Sequence, residues 1–171
     1  MVETSAVLLR KRALAPDVWE LTLQCERYEQ PRPGQFLNLS AGPGFTLKRP
    51  LGVIRSDPSE RTVTCAFRVA GAGTAAFAAW ESGQHTELTF PLGNGFTVPG
   101  DANEIAVVGG GVGVFPLLSL FPGFPDKRFT SFLGYADAAH AFYLEDFRAA
   151  SAETFAATDD GSLGERGFVT A

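Results

Sequence analysis

The feature that most constrains this chain is Val107-Val108-Gly109-Gly110-Gly111-Val112-Gly113-Val114-Phe115-Pro116, an apolar strand leading straight into glycines. Glycine has no β-carbon, so such a turn can bring bare backbone N–H groups against a pyrophosphate, and a helix beginning there adds partial positive charge. An ordinary packing turn has the same look. The cluster gains weight from a second candidate phosphate-binding turn, Gly71-Ala72-Gly73-Thr74, which lies upstream in strand-rich sequence. Two such turns suggest two nucleotides, with electron transfer between them.

The two turns sit in different patterns. Trp19, Leu21, Leu23 and Cys25 alternate with Glu20, Thr22 and Gln24, which predicts a strand with one wet face. Val63, Cys65, Phe67 and Val69 alternate in the same way. Shorter strands are expected at Ala6–Arg10, Gln35–Leu39, Gly52–Arg55 and Thr86–Phe90, punctuated by turns rich in Pro and Gly. One helix is expected from Thr74 to Glu81, with Thr74 as its N-cap and Gly83 as its stop. Six short strands and a helix imply a small Greek-key barrel over residues 1–100.

After Pro99-Gly100-Asp101 the pattern changes. Ile105–Val108 reads as a buried parallel strand, followed by the glycines and a short helix that Phe121-Pro122-Gly123-Phe124-Pro125 ends early. A strand at Phe129–Leu133, a helix at Phe142–Ala150 and a strand at Thr154–Ala157 complete the opening of a βαβαβ unit over residues 101–171.

Composition closes off several function classes. With 171 residues and 45% hydrophobic content, one generous domain or two small ones can bury a core. A net charge of -5 with scattered Lys and Arg argues against a nucleic-acid surface. No apolar run approaches the roughly 20 residues that span a bilayer, and Met1–Ser5 does not open a secretory signal. Cys25 and Cys65 read as reduced, buried thiols of a cytoplasmic protein. His85 and His140 have no ligand-spaced partners, so no metal site is expected.

Read in order, several motifs are similar to the electron-transfer subunit of dihydroorotate dehydrogenase, a flavin and iron–sulfur branch of the ferredoxin-reductase superfamily. They are Pro33-Gly34-Gln35-Phe36-Leu37-Asn38-Leu39, Lys48-Arg49-Pro50-Leu51-Gly52-Val53, Gly73-Thr74, Pro91-Leu92-Gly93-Asn94-Gly95-Phe96, the glycine run continued to Leu118, and Ala157-Thr158-Asp159-Asp160-Gly161-Ser162-Leu163-Gly164. The resemblance covers essentially the whole chain. It implies an all-β Greek-key barrel that binds FAD, followed by an incomplete, Rossmann-like α/β lobe that binds NAD.

The resemblance also assigns residues. Arg49-Pro50-Leu51-Gly52 matches the flavin-binding segment, where Gly52 replaces the usual serine and removes one hydroxyl. An arginine fork suits a diphosphate, and proline suits a strand edge. Phe67-Arg68-Val69 matches the strand that lies along the flavin, although these residues alone read equally well as a half-buried strand with an exposed arginine. Gly73 and Thr74 would hold the FAD diphosphate at a helix start. Phe96 reads as core or flavin-adjacent packing. Gly109, Gly110, Gly111, Val112 and Gly113 would take NAD, with Asp159 and Asp160 in a matching loop that reads otherwise as a solvated turn. No side chain is expected to act as acid or base.

In this family the sequence continues beyond the point corresponding to Ala171, so a C-terminally truncated chain with a weakened NAD site is expected. The four cysteines that hold a 2Fe-2S cluster are absent here. The resemblance implies passage of electrons between NAD(H) and a partner, the catalytic dihydroorotate dehydrogenase subunit, through FAD in pyrimidine biosynthesis. Two alternatives stay open: another ferredoxin-reductase-like flavin oxidoreductase, and a degenerate, non-catalytic partner-binding module.

Overall fold

Alternation of apolar and polar side chains builds the first sheet, and its closure removes the unpaired edges that an open sheet would expose. The computed structural model describes residues 1–170. Six strands, β1 (Val2–Ala15), β2 (Val18–Cys25), β3 (Phe36–Leu39), β4 (Arg49–Asp57), β5 (Thr62–Arg68) and β6 (His85–Leu92), close a barrel in the order β1-β2-β5-β4-β3-β6. All of its pairings are antiparallel. Leu21, Leu23, Val63, Cys65, Leu88 and Phe90 fill the interior. Helix α1 (Ala72–Ala79) drops Phe77 into that core, edge-on to Phe67 at 5.5 Å and to Trp80 at 4.8 Å.

A second sheet follows, with β7 (Glu104–Gly110), β8 (Arg128–Tyr135), β9 (Glu153–Thr158) and β10 (Glu165–Arg166) in the order β10-β9-β8-β7, all parallel. The helix expected after the glycines is broken into two 3-10 turns, Gly111–Val114 and Pro116–Ser119, and the four-residue α2 (Leu120–Gly123). Pro116 is accommodated at the start of the second turn, and the Pro-Gly-Phe-Pro sequence that follows stops α2. Helix α3 (Leu144–Ala150) joins β8 to β9.

Two differences from the sequence reading matter. The β2 face assigned to water is wet at Thr22 and Gln24, but Val18 and Glu20 are buried. There the second lobe covers the barrel wall, and Val18, Ile54 and Ala66 pack in one cluster with Val114, Phe115, Leu118 and Tyr143. Thr74 is the third helical residue rather than the N-cap. That place belongs to Gly71, and the Thr74 hydroxyl accepts from the N–H groups of Ala70 at 2.9 Å and Gly71 at 3.1 Å.

Candidate functional site

The first candidate centre is the corner where β4 begins beside α1. Ala75 is the first α1 residue whose N–H reaches a helical acceptor, Gly71 O at 2.9 Å. By helix geometry the amides of Ala72, Gly73 and Thr74 have none. The Arg49 guanidinium lies against this turn, so close that a β-carbon on Gly73 would stand 2.5 Å from Nε. Arg49 donates to the Leu47 carbonyl, and its guanidinium carbon lies 5.8 Å from the Phe45 ring centroid. No carboxylate pairs with it among the described residues. The corner thus sets a cation beside the start of a helix whose first amides lack helical acceptors, the kinds of group that bind a diphosphate.

The remaining residues of the flavin-like motifs divide between core and surface. Leu51 and Phe67 are buried in the barrel, so they shape the site from behind. Pro50 is exposed and Val69 half-buried. Gly52 faces the other lobe, and a β-carbon there would meet the Pro116 ring at an ordinary 3.5 Å. Phe96 packs on Gly34 and is 39% exposed. Arg68 ends β5 and lines a cavity of about 50 Å³ with Gly111, Val112 and His140, which brings the flavin-like strand up to the glycine turn.

The second candidate centre lies at the carboxyl ends of β7, β8 and β9. Gly110, Gly111, Gly134 and Asp159 line a cleft of about 370 Å³ there, which Phe168 and Val169 also border. Gly111 has φ +51 and Gly113 faces open space, whereas Gly109 is a packing glycine whose β-carbon would meet Leu117 at 2.7 Å. Val112 is 40% exposed. The two acids part company. Asp159 borders the cleft, but Asp160 turns into its own loop and accepts from the Ser162 N–H at 2.9 Å and hydroxyl at 2.6 Å, which hold its carboxyl below the usual range.

Residues outside both centres serve the fold. His140 is tied by Nδ1 to Asp137 at 2.8 Å and faces Asp17 of the barrel at 3.3 Å through Nε2; the Asp137 hydrogen bond raises its pKa. Burial pushes the thiols of Cys25 and Cys65 up to about 12, which makes them poor nucleophiles. No cluster of three potential metal ligands occurs among the described residues, and no helix there is long and apolar enough to cross a membrane.

Known proteins share this sequence and this fold. The chain is 33% identical over 177 residues to the electron transfer subunit of dihydroorotate dehydrogenase B (NAD(+)) of Bacillus mycoides, covering 99% of this chain and 68% of that protein. The chain belongs to that family. The Enterococcus faecalis subunit is 38% identical over 168 residues, 95% of this chain, and the Geobacillus kaustophilus subunit is 39% identical over 94% of it. This chain spans 64% of the Enterococcus relative's length and 65% of the Geobacillus one's. No family model matches the chain.

Solved structures carry the same fold. An NADH-dependent reduced ferredoxin-NADP oxidoreductase superposes with a TM-score of 0.85 at 24% identity, over 96% of this chain and 60% of that one. Phthalate dioxygenase reductase gives 0.74 at 18% identity, over 92% of this chain and 52% of that one. The barrel followed by a parallel sheet is therefore the ferredoxin-reductase architecture.

Proposed function

We propose that this chain is the flavin-carrying part of an electron-transfer subunit. Residues 1–100 would form its FAD barrel and residues 101–171 part of a nicotinamide dinucleotide lobe. The observation that carries this is the Arg49 guanidinium packed on the first turn of α1, where the amides of Ala72, Gly73 and Thr74 are free. When bound, FAD supplies the redox chemistry, since it can exchange electrons both in pairs with a nicotinamide and singly with another carrier.

The chain's own residues bind and orient. Arg49, Gly73 and Thr74 would hold the diphosphate. Pro50, Leu51, Gly52, Phe67, Arg68 and Val69 would form the wall along the ring system. Gly110, Gly111, Val112 and Gly113, with Asp159, would receive the nicotinamide dinucleotide, while Gly109 keeps the turn packed. Asp160 serves the fold of its loop, since Ser162 occupies its carboxylate.

A 2Fe-2S cluster does not fit this chain. Cys25 and Cys65 are its two cysteines and both are buried in the barrel, so no step is assigned to a cluster. The electron-exchange partner in this reading is the dihydroorotate-oxidising subunit, whose electrons would leave through FAD to NAD(+), the oxidant that the relatives' name supplies.

The purified chain is expected to take up FAD, with quenching of flavin fluorescence on titration. NADH should then bleach the flavin band, and the catalytic subunit should co-purify. A colourless protein that leaves added FAD fluorescent would end this reading, and one that binds FAD but is not bleached by NADH would confine the function to the barrel.

A further inference from the structure

Among the described residues Glu20 of β2 is the most deeply buried charged residue, at 1% exposure. It sits where the two lobes meet, in the patch of barrel wall covered by Tyr143 and its neighbours. Its carboxylate accepts from Arg12 Nε at 3.1 Å and Nη2 at 3.0 Å, from Arg55 Nη1 at 3.4 Å, and from the Tyr143 hydroxyl at 2.6 Å. Arg12 and Arg55 belong to the barrel, whereas Tyr143 enters from the other lobe at the start of α3. Both guanidiniums also lie over the Tyr143 ring, at 5.8 and 5.4 Å from its centroid. Arg55 reaches on to Asp146 of α3.

The surrounding contacts of Val18, Ile54, Ala66, Phe115 and Leu118 are apolar, and apolar burial has no preferred direction. A buried carboxylate does. It tolerates loss of water only where every donor is in line, and a small rotation of one lobe takes the Tyr143 hydroxyl out of range. Tyr143 itself is held at φ 61, a conformation side chains rarely adopt, so its backbone is shaped to present the ring.

We propose that Glu20 is a positioning residue that sets the orientation of the barrel against the dinucleotide lobe through the Tyr143 hydroxyl. The orienting role stands on this geometry alone. Its consequence, alignment of nicotinamide with flavin, rests on the function proposed above.

The test separates these two parts. Ser59→Cys and Glu153→Cys, both at exposed positions in different lobes, take spin labels while the buried Cys25 and Cys65 do not. The labelled parent is expected to give a narrow distance distribution. Glu20→Met combined with Tyr143→Phe removes the Glu20–Tyr143 tie but keeps the volume and leaves the half-exposed Arg12 and Arg55 to solvent, so it is expected to melt near the parent temperature with a distinctly broader distribution. Tyr143→Phe alone, which leaves Glu20 with both arginines, should broaden it less. In FAD-loaded, unlabelled protein the double variant should lower the saturated rate of bleaching by NADH on the order of 10- to 100-fold, with FAD affinity and half-saturating NADH within about twofold.

An unchanged distance distribution overturns the orienting role, and a broadened one with an unchanged bleaching rate overturns its consequence for nicotinamide and flavin. Should the parent take up no FAD, the functional reading fails by itself, and the distance measurement alone decides whether Glu20 orients the lobes.

Discussion

Arg49 and Gly73 are complementary: the guanidinium of one occupies the space that a β-carbon on the other would need, 2.5 Å from Nε. Two segments far apart in sequence thus form one anion-binding corner. Gly73→Ala tests it, because the far end of the arginine can swing away without disturbing the fold. Alanine is the better helix former by about 0.5–1 kcal/mol, so stability should hold or rise. FAD affinity should fall roughly 10- to 100-fold as a charge-assisted contact worth about 1.5–3 kcal/mol is displaced. Calorimetric melting and a fluorescence titration on the same sample would show the two moving apart; equal losses in both would point to simple misfolding.

Lys11 secures the other end of the same helix. Its ammonium donates to the carbonyls of Ala78 at 2.8 Å and Trp80 at 2.6 Å, and it lies 4.8 Å from the Trp19 ring centroid. Terminal carbonyls have no helical donors, and a cation also suits the negative end of the helix dipole. Lys11→Met should cost about 1–2 kcal/mol in urea unfolding, while Lys11→Arg should recover part of it. A Met variant as stable as the parent would show that the carbonyls are satisfied by water instead.

Gly123 of α2 packs against Pro33 of the barrel. A β-carbon there would stand 2.1 Å from the Pro33 Cγ, with Cδ and Cβ at 3.2 and 3.3 Å. A proline ring cannot step aside as a long side chain can. Ser119 in the preceding turn accepts from the Gly34 N–H at 2.9 Å, so displacing α2 also strains that bond. Gly123→Ala should therefore destabilise by about 1–3 kcal/mol. Gly113→Ala, at a glycine facing open space, serves as the control and should stay within about 0.5 kcal/mol of the parent. Chemical unfolding of the pair decides the point.

How far these relationships could be read from sequence depends on whether they are local. Strands β2 and β5 were legible because their residues alternate strictly. The full 14-residue length of β1 was not, since a register shift between Leu8 and Arg10 breaks its period. Helix α1 was legible but placed two residues late, because its cap is a bare glycine and Thr74 works from inside the helix. The two-residue β10 carries too little pattern to be seen. Glu20 was assigned to water because alternation reports which face a residue is on, not what covers that face. The Arg49 segment and the Gly73 turn were each visible as motifs, but only the fold joins them.

His140 links the lobes in a way that depends on pH. Its ring faces Asp137 on its own loop and Asp17 on the β1–β2 turn, and the hydrogen bond to Asp137, helped by both charges, raises its pKa above the ordinary 6.5. Arg68 and Tyr135 line the same cavity, and the Tyr135 hydroxyl is engaged with the Phe142 carbonyl at 3.0 Å. A raised folded-state pKa means the protonated form is the favoured one. Its contribution is fully present below pH 6.5 and is lost as pH climbs through the folded value. Asp137 sets the opposite limit: the His140 hydrogen bond depresses its carboxyl, so that part of the stability is lost only in acid. Unfolding free energies measured from mildly acidic to mildly alkaline pH should decline for the parent, and His140→Gln should flatten that decline. Parallel curves for the two proteins would mean that solvent already screens the pair, since the histidine side chain is 29% exposed.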